Sequence, residues 1–114
     1  MSINFACKTI KIEELIKCSF SLTKTEYNIL MFLLKHQEIP LNQIASKLKL
    51  ERTSIQKAMT SLMIKDLVTR QKIILKKGGY TYLYKSKNKE QIKKQIIKLI
   101  NIWSKSAKKQ IRGL

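Results

Sequence analysis

Carboxylates are the scarcest charged groups in this chain: 7 Asp and Glu face 24 Lys and Arg, a formal charge of +17. The acids are Glu13, Glu14, Glu26, Glu38, Glu51, Asp66 and Glu90, and only Glu13 and Glu14 are adjacent. Neighbouring helix positions point about 100° apart, so that pair does not converge on a metal ion or a scissile bond. His36 is the single histidine; at an expected helix end it offers little as the base of a Ser or Cys nucleophile, and it leaves two cysteines without the partners of a zinc site. The three glycines, Gly78, Gly79 and Gly113, form no phosphate-cradling motif. These absences argue against an enzyme, and neither a metal nor a cofactor is expected.

Three Gly and one Pro also exclude collagen-like and linker-like chains. No apolar run reaches the length of a signal peptide or a membrane span, so a cytoplasmic location is expected. Cys7 and Cys18 lack Cys-x-x-Cys spacing and are expected as buried free thiols, a thiol switch in an N-terminal arm being the sharper alternative. With 114 residues, of which 44% are hydrophobic, one compact core is feasible and a separate catalytic domain is not.

What is abundant is positive charge, unevenly placed. Residues 1 to 60 hold 9 basic and 5 acidic side chains, whereas residues 61 to 114 hold 15 and 2. A surplus of this size attracts nucleic acid backbones or anionic membranes through long-range fields. Nucleic acid is the first expectation.

The hydrophobic pattern gives the elements. Ile12, Leu15 and Ile16 recur at helical spacing and predict a short amphipathic helix ending before Ser19. Thr23 to Glu26 has the pattern of a capping box, with Leu22 and Tyr27 at staple positions, and opens an apolar helix through Leu34 that should be the most buried. His36 should cap its end. After a break at Glu38-Ile39-Pro40, Asn42 is the expected cap of a helix with Ile44, Ala45 and Leu48 on one stripe. From Arg52 to Lys65, Ile55, Ala58, Met59 and Leu62 share one sector, and Thr53, Gln56, Lys57 and Thr60 share the opposite one. Two short helices with a turn of three or four residues, the second showing hydrogen-bonding side chains outward, have the layout of a helix-turn-helix; an ordinary amphipathic pair is the plainer alternative.

Residues 67 to 75 and the alternating Tyr80-Thr81-Tyr82-Leu83-Tyr84 then predict a β-hairpin. With Gly78-Gly79 as a two-residue turn, Leu75 would face Tyr82 and Ile73 would face Tyr84. The tyrosines are expected to pack one face of the hairpin on the helices rather than to stack on bases. Finally, from Asn88 to about Gln110, Ile92, Ile96, Leu99 and Trp103 lie at 4-3-4 steps between lysines. That seam can pack on its own domain, on a second chain or on a membrane surface, and dimerisation is preferred because the helix exceeds what a small domain needs.

Leu22 to Arg70 resembles the winged helix-turn-helix of MarR-like and TrmB-like transcriptional regulators. The likeness lies in Leu22-Thr23-x-x-Glu26-x-x-Ile29-Leu30, in Ile44-Ala45-x-x-Leu48-x-Leu50, in Thr53-Ser54-Ile55-x-Lys57, and in Leu62 with Leu67-Val68-x-Arg70 leading into the wing. It implies a mainly α fold with a small β-hairpin wing, a recognition helix in the major groove, and dimerisation through N- and C-terminal helices. Three positions depart from the pattern. Asp66 stands where the family usually has Gly, Glu51 takes the usual Ser or Asp cap position, and the wing tip lacks an Arg that could probe a narrow minor groove.

The expected organisation is an N-terminal helical arm (1–20), a winged helix-turn-helix (21–87) and a C-terminal dimerisation helix (88–114). Double-stranded DNA and a second copy of the chain are the expected partners, with no membrane and no small-molecule effector. Candidate nucleic-acid contacts are Arg52, Thr53, Ser54, Gln56, Lys57, Thr60, Lys72, Lys76, Lys77 and Gly78, with Gln56 and Lys57 as base readers. Candidate dimer contacts are Ile12, Leu15, Ile16, Ile92, Ile96, Leu99 and Trp103. The expected function is that of a dimeric, sequence-specific DNA-binding regulator. An architectural, largely non-specific DNA-coating protein is the alternative, and an adaptor that binds protein through the same domain is a third reading.

Overall fold

The computed structural model describes all 114 residues. The elements run β1 (Ser2–Phe5), β2 (Lys8–Lys11), α1 (Ile12–Phe20), α2 (Lys24–Lys35), β3 (Ile39–Pro40), α3 (Leu41–Leu48), α4 (Arg52–Ile64), β4 (Val68–Ile74), β5 (Tyr80–Ser86) and α5 (Lys89–Arg112). The N-terminus, expected as a helix alone, opens instead with an antiparallel hairpin in which Ile3 faces Ile10 and Phe5 faces Lys8. Its four-residue strands are too short and too exposed to leave a clear alternating pattern. Both cysteines are free and exposed rather than buried, Cys7 in the turn of this hairpin and Cys18 on α1.

Along α1, Lys17 Nζ bridges Glu13 at 3.2 Å and Glu14 at 3.1 Å. Ser21 closes the helix in the left-handed region, where the Leu22 N–H reaches back to the Lys17 carbonyl at 2.8 Å. The expected capping box then opens α2: the Glu26 N–H donates to Thr23 Oγ1 at 3.1 Å, and the Thr23 N–H donates to Glu26 Oε1 at 3.0 Å. Ile29, Leu30 and Leu33 of α2 are buried. At its end His36 contributes its backbone N–H to the Leu33 carbonyl, while its ring lies 4.3 Å from that of Phe32.

Ile39-Pro40 is not a plain break but a short strand at the sheet edge, pairing with β5 so that Ile39 faces Tyr84. An edge position tolerates Pro40, which has no N–H to give to a further strand. Pro40, not Asn42, is the N-cap of α3, and Asn42 is already inside the helix. Lys49, at φ 54°, turns the chain from α3 into α4.

The core gathers Ile44 of α3, Ile55, Ala58, Met59 and Leu62 of α4, Leu67, Val68 and Tyr84 of the wing, and Ile92 of α5, all around the buried residues of α2. The sheet order is β3-β5-β4, with β5 central. α5 leaves this core after its first turns, and the molecule is accordingly elongated, 67 Å by about 22 Å by 21 Å.

Candidate nucleic-acid interface

The inward sector of α4 matches the sequence pattern, and that packing turns Arg52, Thr53, Ser54, Gln56, Lys57 and Thr60 outward, all exposed. The helix is held at its far end by a polar clamp. Glu26, only 5% exposed, accepts through Oε2 from the Ser61 hydroxyl and from Lys65 Nζ at 3.3 Å. Lys65 Nζ also donates to the Ser21 carbonyl at 2.7 Å, so one ammonium joins the end of α1, the start of α2 and the end of α4. Burial pushes the Glu26 carboxyl up, but the hydrogen bonds from Ser61, Thr23 and Lys65 outweigh it and hold the group below the ordinary carboxylate value. The outward face of α4 is thereby fixed in direction. On that face Thr60 Oγ1 donates to the Gln56 carbonyl at 2.9 Å, which leaves the hydroxyl to act as an acceptor. Glu51, the N-cap residue, makes no side-chain capping bond.

The wing begins where α4 ends. Asp66 takes a φ of 60° at this junction, its N–H bonded to the Met63 carbonyl and the next N–H, of Leu67, to the Leu62 carbonyl, both at 3.0 Å. A left-handed residue closing a helix explains why glycine is the usual occupant of this position in the family.

The register of the hairpin differs from the expected one. Ile74 faces Tyr80, Lys72 faces Tyr82 and Arg70 faces Tyr84. The turn has three residues, not two: the Gly78 N–H bonds the Leu75 carbonyl and the Leu75 N–H bonds the Gly79 carbonyl, both at 3.1 Å, with Gly78 at φ 92°. Gly78 and Gly79, the latter at φ 78°, both take positive φ, which suits glycine at the end of such a three-residue turn. The pairing shifts by an odd number of residues, so the opposite face of β4 meets the tyrosines. Tyr82 and Tyr84 face cations where aliphatic side chains were expected, while Tyr80 faces Ile74. Arg70 Cζ lies 4.1 Å from the centre of the Tyr82 ring, and Lys72 Nζ lies 4.2 Å from that of Tyr80. Tyr84 is buried as expected, Tyr82 is half-buried and Tyr80 is exposed, so the tyrosines grade from core to tip. Lys76, Lys77 and Gly78 form the exposed tip.

Between α4 and the wing runs a groove of about 470 Å³ whose polar lining includes Asn42, Arg52, Gln56, Thr60 and Arg70. No carboxylate lines it. Of the sequence candidates, the structure brings Arg52, Gln56 and Thr60 to this groove, whereas Lys57 does not line it. Arg70, which sequence reasoning left out of the site, lines it too. A Lys-Lys-Gly-Gly tip suits the three-residue turn as well as the two-residue one, and weighing the longer turn would have found Arg70.

The candidate dimer residues fall into two groups. Ile12, Leu15 and Ile16 are half-buried on α1, and Ile16 and Ile96 pack against the chain's own core. Ile92, expected at a dimer seam, is 4% exposed within its own domain and is unavailable to a second chain. Leu99 and Trp103 are exposed on the projecting part of α5, together with Ile97, Ile100, Ile102 and Ile111. No helix is long and apolar enough to cross a membrane, and no three His, Cys, Asp or Glu side chains come together to hold a metal ion.

A helix-turn-helix with an outward polar recognition helix, followed by a basic hairpin, defines a winged-helix protein of the DNA-binding, transcription-regulating class. Residues 16–90 match the family model described as the sugar-specific transcriptional regulator TrmB, and the chain belongs to that family. An uncharacterized protein of Methanocaldococcus jannaschii is 31% identical over 95% of this chain and 82% of its own length. The structure of a possible transcriptional regulator from Methanosarcina mazei Go1 superposes with a TM-score of 0.87 at 31% identity, covering 99% of this chain and 96% of that one. A MepR mutant of S. aureus bound to an oligodeoxyribonucleotide shares the fold, with a TM-score of 0.59 at 15% identity over 90% of this chain and 73% of that one. Family and fold are those of transcriptional regulators, not of enzymes.

Proposed function

We propose that the protein is a dimeric regulator that reads double-stranded DNA in a sequence-dependent way. In this reading the outward face of α4 enters the major groove and the wing lies on the adjacent backbone and minor groove. The observation that carries it is the face of α4 itself: exposed Gln56 and Lys57 stand on a helix whose direction is set by a buried core face and by the Glu26 clamp. A Gln amide can pair bidentately with adenine, and a Lys ammonium can reach guanine O6 and N7, each good pairing giving roughly 1–3 kcal/mol of discrimination. Lys76 and Lys77, at the exposed tip, supply backbone contacts without sequence information. Leu99 and Trp103 on the projecting α5, with Leu15 and Ile12 on α1, supply the dimer contacts.

Architectural coating of DNA needs only the charge of +17 and no oriented amide on the recognition helix. The two readings separate on replacing Gln56 and Lys57 together by Ala. A sequence reader loses its preferred duplex by roughly tenfold to a hundredfold while its binding to scrambled duplex changes little. Equal weakening on every duplex contradicts base reading by these residues.

A further inference from the structure

α5 holds eight of the chain's 24 basic residues and a single acid, Glu90. That acid is engaged by Lys93 in the first turns, Nζ to Oε1 at 3.2 Å. Beyond it, Lys94, Lys98, Lys105, Lys108, Lys109 and Arg112 are all exposed and enter no ion pair. At about 100° per residue these side chains fall in one sector roughly 100° wide, with Asn101 as its uncharged member, and the sector lies opposite the seam of Ile92, Ile96, Leu99 and Trp103. The ridge runs about 27 Å along the helix axis. A shallow furrow of about 410 Å³ on it is lined by Lys94, Lys98, Asn101 and Lys105 with Ile97 and Ile102, and by no carboxylate. Because α5 packs on α1 and then projects, extending the molecule to 67 Å, the far end of the ridge stands outside the domain that carries α4 and the wing.

Like charges four residues apart on a helix destabilise it. Lys94 with Lys98, Lys105 with Lys109, and Lys108 with Arg112 are three such pairs, and no acid is interleaved to offset them. The helix therefore carries a repulsion that an external polyanion relieves. We infer that the outer face of α5 is a second nucleic-acid surface, which holds by its backbone, whatever its sequence, a duplex other than the one read by α4. A duplex presents one negative charge per roughly 1.7 Å of its axis, a continuous array for which point charges at helical spacing suffice. Protein interfaces, by contrast, are depleted in lysine. A lipid-bound helix beds its apolar side in the bilayer, whereas here that side is the one a second copy covers, and the cations face away from it. The inference rests on the DNA-binding reading above and gives the dimer a means of bridging two duplexes.

The test is a bridging assay with the full chain. One biotinylated duplex is immobilised, and capture of a second, fluorescent duplex is measured at about 0.1 M salt. Replacing Lys94, Lys98, Lys105 and Lys109 together by Gln, a helix former as good as Lys, should reduce capture by roughly tenfold or more and leave affinity for a single duplex within about twofold. The same four changed to Arg should capture as the parent does. Gln at Lys8, Lys11, Lys24 and Lys35, which are exposed and unpaired, removes the same charge elsewhere and should leave capture intact. Equal capture by the parent and the ridge variant overturns the inference and assigns bridging to the two α4 faces. Equal loss in the Lys8 set also overturns it, as an effect of net charge alone. Loss of single-duplex affinity in the ridge variant, with a salt slope shallower by about 3 to 4, places the ridge on the duplex that α4 reads and overturns the second site. Binding to phosphatidylserine vesicles that depends on the ridge, without bridging, makes the partner a membrane and overturns the nucleic-acid assignment. A parent chain that holds one duplex and captures no second overturns the ridge alone and leaves the regulator reading standing; absence of any duplex binding overturns both.

Discussion

Glu26 serves two structures with one carboxylate. One oxygen closes the capping box of α2, and the other receives Ser61 and Lys65 from α4, so helix initiation and recognition-helix placement share a residue. Replacing it by Gln keeps the shape and removes the charge. Glu26→Gln is expected to lower stability at pH 7 by about 2 kcal/mol, the scale of hydrogen bonds to a charged group, as read from urea midpoints. The pH dependence has a definite sign. The folded-state carboxyl lies below its ordinary value of 4.5, so its contribution is complete above that value and is lost as pH falls through the lower folded one. The parent chain should therefore lose stability on acidification below about pH 4.5, and the Gln variant should lose less over the same interval. Identical acid profiles would show that the clamp contributes nothing to folding.

At the level of elements, the helices were legible because each carries a local signal that its packing reinforces. The capping box at Thr23 and Glu26 and the inward set Ile55, Ala58, Met59 and Leu62 follow from the sequence. What was not legible were the short strands. β1 and β2 are exposed throughout apart from one half-buried residue, and β3 is two residues long, so none of them imposes a periodicity. The wing's existence was legible but its register was not, because a Gly78-Gly79 pair permits two turn lengths. That one choice decided whether Arg70 belonged to the site.

The junction between α4 and the wing gives a second test at this scale. A non-glycine residue in the left-handed region costs roughly 1–2 kcal/mol. The exposed partner of Asp66, Lys87 at 2.8 Å, returns only about 0.2–1 kcal/mol. Asp66→Gly is accordingly expected to raise stability by a few tenths to about 1 kcal/mol. A lowered urea midpoint would show that the Lys87 contact outweighs the backbone strain.

For the whole molecule, the decisive feature is the division of labour along α5. Its first turns complete the chain's own core through Ile92 and Ile96, and its remainder projects with Leu99, Trp103 and other large apolar side chains uncovered. The sequence showed a single seam with three alternative occupants, and it could not divide that seam because Ile92 and Trp103 lie on the same periodicity. Folding has now taken the first part for the domain itself, and the dimer reading rests on the second. A two-fold dimer built on the projecting helices would present two α4 faces to one duplex, with half-sites about one helical turn apart.

Selection of bound duplexes from a random double-stranded pool at about 0.15 M salt, where exposed charges are partly screened, tests the central claim most directly. A dimeric sequence reader should enrich an inverted repeat whose half-sites lie about one turn apart. Tight binding that leaves the pool unenriched would contradict that claim and make this winged helix an architectural DNA-binding protein.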